Sequence, residues 1–174
     1  MDGFLNPVQV IEQLGLSGAL KAADLGCGSG GWAIPLAKKL KDGFVYAIDV
    51  QEAPLSALNS RAQVEKVGNI RTIIADVEGG SAIRGIGSDS LDLVLMTNLL
   101  FQVDDKKVVM SEAKRMVRPG GKILIVDWKK NAPTGPKGSE VAVEDLKTLA
   151  GELNLFLSEE FDAGGYHYGI ILVK

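Results

Sequence analysis

Three carboxylates stand where chemistry can use them. Asp24, Asp49 and Asp76 each close a short apolar run, and the first leads into the glycine-rich stretch "LGCGSGGW". Taken literally, Gly26, Gly28 and Gly31 satisfy the G-x-G-x-x-G spacing of a dinucleotide loop, whose backbone amides hold a pyrophosphate. Asp24 argues against that ligand. A pyrophosphate brings negative charge toward a carboxylate two residues before the first glycine, at a cost of about 1 kcal/mol at 4 Å in water and more where water is excluded. A cationic group beside the loop is favoured instead. Asp49 can accept hydrogen bonds from both hydroxyls of a ribose. Asp76 can accept from an adenine amino group while the Val77 amide donates to the ring. A third acid at that place has no use in phosphate binding.

The pattern around these acids alternates strand and helix. Asn6 caps, and Pro7 opens, a short helix that ends toward Gly15 and Gly18. "LKAADLG" reads as a strand and "GWAIPLAKKLK" as a helix whose Ile34, Leu36, Ala37 and Leu40 face inward. "FVYAIDV" is a second strand, residues 54–67 a helix, and "IRTIIADV" a third strand. The glycine-rich "EGGSAIRGIGSDS" is a loop with room for one helical turn. "LDLVLMT" forms strand four, residues 104–118 a helix closed by "RPGGK", and "KILIVDW" strand five. A helix over residues 143–153 precedes a change of period, in which "LFLSEEF" and "YHYGIILV" form two strands joined by "DAGG". Apolar strands alternating with helices predict a three-layer α/β fold with a mostly parallel sheet. In such sheets ligands bind at the carboxyl ends of the strands, where all three acids lie.

Composition limits the rest. The 174 residues are 46% hydrophobic, enough for one filled core, so a single domain over residues 1–174 is expected. A formal net charge of -3 shows no basic stripe for nucleic acid. No apolar run reaches bilayer-spanning length and the amino terminus lacks a basic leader pattern, so a cytoplasmic location is expected. One cysteine and one histidine exclude an internal disulfide and a Cys/His zinc cluster, and no carboxylate spacing suggests a metal.

"AADLGCGSGGWAIPLA", "VYAIDV", "IIADV", "LDLVLMTNLLFQV" and "RMVRPGGKILIVDW" occur in that order. As a set they resemble the successive motifs of the class I, seven-stranded Rossmann-like S-adenosylmethionine-dependent methyltransferases, in particular the type 11 group near the ubiquinone- and menaquinone-biosynthesis enzymes. That ligand has both a cationic amine and a cationic sulfonium, as Asp24 requires. The resemblance implies a strand order of 3-2-1-4-5-7-6 with strand seven antiparallel. It implies that Asp24 and the loop Gly26, Cys27, Gly28, Ser29 and Gly30 hold the methionine moiety. Asp49 and Val50 fall to the ribose, Asp76 and Val77 to adenine, and Thr97 and Asn98 to the region of the amine and the transferring methyl. Phe101 is expected to wall the pocket.

Methyl transfer from a sulfonium is an in-line displacement that rests largely on alignment, with a base where the acceptor must lose a proton. Two residues are candidates for that base: His167 in "GYHYG" and Asp127 at the end of strand five. Each has a plainer alternative: a structural or exposed histidine, and a helix-capping or solvated strand-end acid. Cys27 reads as a small filler, Trp128 as loop packing. Residues 129–140 follow strand five at the active edge and are placed to form a lid. "TNLL" stands where amino-methylating enzymes of nucleobases and amides carry an Asn-Pro-Pro-Tyr-type motif. The acceptor expected is a small molecule, with a protein side chain as the alternative. A non-catalytic cofactor-binding module and a nicotinamide-dependent oxidoreductase are the further readings.

Overall fold

The computed structural model describes residues 4–80 and 82–174. Helix α1 (Pro7–Gln13) starts as its sequence demands, because Asn6 Oδ1 accepts from the amides of Val8 (3.0 Å) and Gln9 (3.4 Å) and Pro7 takes a position that needs no N–H. Strand β1 (Lys21–Leu25) follows, then α2 (Ala33–Lys39), β2 (Phe44–Asp49), α3 (Glu52–Val64), β3 (Ile70–Ile74) and β4 (Leu91–Thr97). A 3-10 turn (Leu100–Gln102) leads to α4 (Lys106–Met116), capped by Asp105, whose Oδ1 accepts from the amides of Lys107 (3.0 Å) and Val108 (3.1 Å). The chain ends in β5 (Val117–Trp128), α5 (Val143–Glu152), β6 (Phe156–Asp162) and β7 (His167–Val173).

The strands form one sheet in the order β3-β2-β1-β4-β5-β7-β6, with β7 antiparallel to both neighbours. This is the expected topology. Alternation sorts the side chains into two cores. Ala22, Leu93, Leu95, Leu124, Val126 and Ile171 meet α1, α2 and α3 on one face; Ala23, Val94, Met96, Ile123, Ile125 and Leu172 meet α4 and α5 on the other.

Several boundaries differ from the sequence reading. Helix α3 begins at Glu52, two residues before Pro54, because a proline in the first turn sacrifices no hydrogen bond; it ends by Lys66, whose φ of 55° breaks the helix. Strand β3 stops at Ile74, and Asp76 lies beyond it in a turn closed by the Glu78 amide on Asp76 Oδ1 (2.9 Å). The "RPGG" stretch does not separate α4 from β5. It is absorbed as a bulge, with Leu91 opposite Val117 but Leu93 opposite Lys122.

No helix is assigned among the described residues between β3 and β4, and the connection is pinned to α4 by Glu112. The Glu112 carboxylate accepts from the Ile83 amide (2.8 Å) and from Arg115 (2.7 Å at Nε), while Arg115 also donates to the carbonyl of Ile86 (3.0 Å). Burial opposes ionisation of Glu112, yet the Arg115 and Ile83 donors overcome it and hold the carboxyl below its ordinary range. Replacing Glu112 with alanine leaves these donors unpaired and is expected to cost about 2 kcal/mol. Hydrogen exchange should show the loss first at the amides of Ile83 and Ile86.

Candidate active site

The turn after β1 brings the glycine loop across the end of β2. Its left-handed glycines are sterically required: a Cβ on Gly26 (φ 67°) would lie 2.8 Å from Leu99 Cδ1, and one on Gly30 (φ 85°) 2.8 Å from Leu58 Cγ. Asp49 ties the loop down. Its Oδ2 accepts from the Gly28 amide (2.9 Å) and its Oδ1 from the Gln51 amide (3.0 Å), leaving lone pairs on both oxygens.

A cleft of about 390 Å³ opens here. Gly26, Gly28, Asp49, Val50, Asp76 and Val77 line it, all singled out by the sequence. Leu99, Gln102 and Val103 line it as well, and these the sequence reading missed. They sit on or beside the 3-10 turn after β4, a segment too short to show a period. Phe101, expected as a wall, packs against the core on the α4 face, and its neighbours take its place.

The other predicted residues lie outside the cleft lining. Ser29 is exposed, with its carbonyl accepting from Arg61 Nη1 (3.0 Å). Cys27 is buried, and burial, then the charges of Asp24 and Asp49, push its thiol up, so it is a filler and no nucleophile. Thr97 is buried at the end of β4, and Asn98 follows it with φ 50°.

Asp24 is fully buried, and neither carboxylate oxygen has a hydrogen-bond partner. Burial foremost, with a contribution from Asp49, pushes its carboxyl up to about 8. The Ala33 amide lies close enough to temper that shift without closing a bond of normal geometry. A buried acid without a donor is costly in the protein alone and suited to a cation.

The two base candidates separate. Asp127 is buried on the α4 face, where Oδ1 accepts from the Trp128 amide (2.8 Å) and Oδ2 from the Phe101 amide (3.3 Å). Through the Phe101 amide it holds the 3-10 turn in place. Burial pushes its carboxyl up to about 6 against those amides. His167 lies on the opposite face, 5% exposed, its ring 4.1 Å from that of Trp128. Tyr168 belongs to the α4 face, its hydroxyl donating to the Val141 carbonyl (3.0 Å). The segment 129–140 is tied at its base, because the Lys129 amide donates to the Tyr166 carbonyl (2.8 Å) and its ammonium pairs with Asp162.

Together these features define a Rossmann-like fold with two acids at the ends of β1 and β2, a third in the turn after β3, and a loop built for close backbone approach. Residues 22–121 match the family described as "Methyltransferase domain", and the chain belongs to it. A demethylmenaquinone methyltransferase of Geobacillus kaustophilus is 27% identical over 119 residues, 68% of this chain and 49% of that protein. The chain thus spans about half the length of the curated relatives it matches. Among solved structures, a SAM-dependent methyltransferase from Aquifex aeolicus superimposes with a TM-score of 0.85 at 23% identity, covering 97% of this chain and 89% of that one. The [4+2]-cyclase SpnF superimposes at 0.81 with 14% identity, covering 96% and 79%. The fold is shared, whatever reaction each performs. Among the described residues no helix is long and apolar enough to cross a membrane.

Proposed function

We propose that the chain is a cytoplasmic S-adenosylmethionine-dependent methyltransferase, one domain over residues 1–174, acting on a small-molecule acceptor. The observation that carries this reading is the conjunction of an unpaired buried acid, Asp24, with a cleft lined by Gly26, Gly28, Asp49 and Asp76. Asp24 and Asn98 Oδ1 offer acceptors to an ammonium, the loop amides face a carboxylate, Asp49 takes the ribose hydroxyls, and Asp76 with Val77 takes the adenine. Cys27, Ser29, Gly30, Val50 and Thr97 complete the surroundings as shape more than as donors. The cofactor, when bound, supplies a methyl group already activated on a sulfonium. The relative named for demethylmenaquinone supports a small acceptor over a protein side chain.

Saturating S-adenosylhomocysteine, at a hundred times its Kd, is expected to add about 2.7 kcal/mol. That raises the melting temperature by roughly 5–10 °C for a domain of this size. NAD should produce no rise, and a flat response to S-adenosylhomocysteine would refute the reading. The fold shared with a cyclase keeps one alternative, a binding module without methyl transfer, which transfer of labelled methyl to any small-molecule fraction excludes.

A further inference from the structure

Glu78, half-buried in the turn after β3, ties together two stretches that line the same cleft. Its Oε1 accepts from the amides of Asp104 (2.8 Å) and Asp105 (2.9 Å), just beyond the 3-10 turn. Val77 and Glu78 therefore line the cleft from one side of this bond, and Leu99, Gln102 and Val103 from the other. Among the described residues no other hydrogen bond links residues 75–80 to residues 98–105.

The sequence shows why the bond comes from a distance. Asp105 is the N-cap of α4, and in a capping box the residue three positions later reaches back to the N-cap amide. Here that residue is Val108, which has no acceptor. Glu78 supplies the oxygen from 27 residues away. Its own turn aims it, because Asp76 Oδ1 accepts from the Glu78 amide (2.9 Å) and the Asp76 carbonyl from the Gly79 amide (3.3 Å). The acid proposed to meet the adenine amino group thus also sets the direction of Glu78.

A second groove, of about 430 Å³, adjoins the first. Val77 lines both spaces, whereas Glu78 lines the cofactor cleft and Asp105 the second groove, so the bond between them stands at the boundary. Val108, Ser111 and Arg115 carry the second lining along α4. We propose that Glu78 closes the base end of the cofactor cleft: it fixes the spacing of Val77 and Val103 around the adenine and excludes a base whose amino group carries a bulky substituent. The proposal rests on the S-adenosylmethionine reading and names a specificity-determining residue of that site. Glu78 touches no reacting atom and acts by position. Without its carboxylate, the 3-10 segment keeps its hydrogen bonds to β5, from the Asn98 amide to the Val126 carbonyl (2.8 Å) and from the Phe101 amide to Asp127 (3.3 Å), but loses its tie to the turn after β3. The amino edge of the base then opens toward the second groove.

Calorimetric binding of S-adenosylhomocysteine and of its N6-benzyl derivative to wild type and variants tests this. Wild type is expected to prefer the parent ligand by about a hundredfold, because the derivative must break the Glu78 bonds or leave the cleft. Glu78→Gln keeps an oxygen that accepts both amides and should match wild type within about threefold for either ligand. Glu78→Ala should bind the parent about tenfold more weakly, the loss of two solvent-accessible hydrogen bonds, yet bind the N6-benzyl derivative more tightly than wild type does. Glu78→Asp, one methylene short of the two amides, should show the same loss of preference. A merely structural cap would weaken both ligands alike, so an unchanged ratio in Glu78→Ala and Glu78→Asp overturns the proposal, as does a wild type that takes both ligands equally. Failure of S-adenosylhomocysteine to bind wild type overturns the methyltransferase reading instead, and is seen separately by melting temperature.

Discussion

Replacing Asp24 with asparagine is expected to move stability and ligand binding in opposite directions. In the protein alone the carboxyl is pushed up to about 8, by burial above all, against 3.8 in the unfolded chain. The folded state therefore holds a proton that the unfolded state releases. The associated stability is intact below pH 4, declines as the pH rises, and is gone above about 8. Asparagine has no charge to desolvate. The variant should melt above wild type at pH 8–9, with the gap closing as the pH falls toward 4. Binding reverses the sign, because Asp24 must ionise to meet an ammonium. Wild type should release close to one proton on binding S-adenosylhomocysteine at pH 7, read by calorimetry in buffers of different ionisation enthalpy. Affinity should rise as the pH is raised from 5 to 8, because ionising Asp24 costs progressively less. Asp24→Asn should bind about a hundredfold more weakly and lose the proton release. An unchanged affinity would show that Asp24 faces no cation.

What the sequence disclosed and what it hid divide along a physical line. The alternation of strands and helices and the acids at the ends of β1 and β2 were legible because period and turn chemistry are local, whereas the strand order was reached only through the family resemblance. Asp76 was legible as an acid but not as a turn residue, since its bond to the Glu78 amide depends on where pairing with β2 ceases. The bulge at Val117–Lys122 was hidden because "RPGG" is an ordinary turn until β4 pairs on either side of it. Leu99, Gln102 and Val103 were invisible as cleft residues. They are placed by a 3-10 turn that Asp127 holds from 26 residues away through the Phe101 amide. In sequence, an acid at the end of a strand has the same signature whether it faces ligand or backbone, and Asp127 accepts from the Trp128 and Phe101 amides. Only the pleat tells Asp127 and His167 apart, sending one to the α4 face and the other to the α1–α3 face.

The largest loss is expected at Asp49, because it has two duties. It accepts from the Gly28 and Gln51 amides at once, and the proposed cofactor adds two ribose hydroxyls. Asp49→Ala frees the loop and removes the ribose contact, so affinity for S-adenosylhomocysteine should fall about a thousandfold, or about 4 kcal/mol. Asp49→Asn should rescue little, since one of its two terminal groups must present N–H to a backbone amide. Stability of the protein alone should fall by about 1–2 kcal/mol for the two lost amide bonds. That loss carries its own pH dependence, which separates a structural role from an electrostatic one. Asp49 also repels Asp24, and this repulsion exists only where Asp24 is ionised. At pH 5 Asp24 is neutral and Asp49→Ala loses both amide bonds with no relief. At pH 9 Asp24 is charged, and removing Asp49 relieves a like charge, so the destabilisation should be smaller. In the Asp24→Asn background the difference between the two pH values should vanish. A double-mutant cycle by thermal unfolding at both pH values measures it directly, and an equal loss at pH 5 and pH 9 in the Asp24 protein would mean that the two acids do not interact.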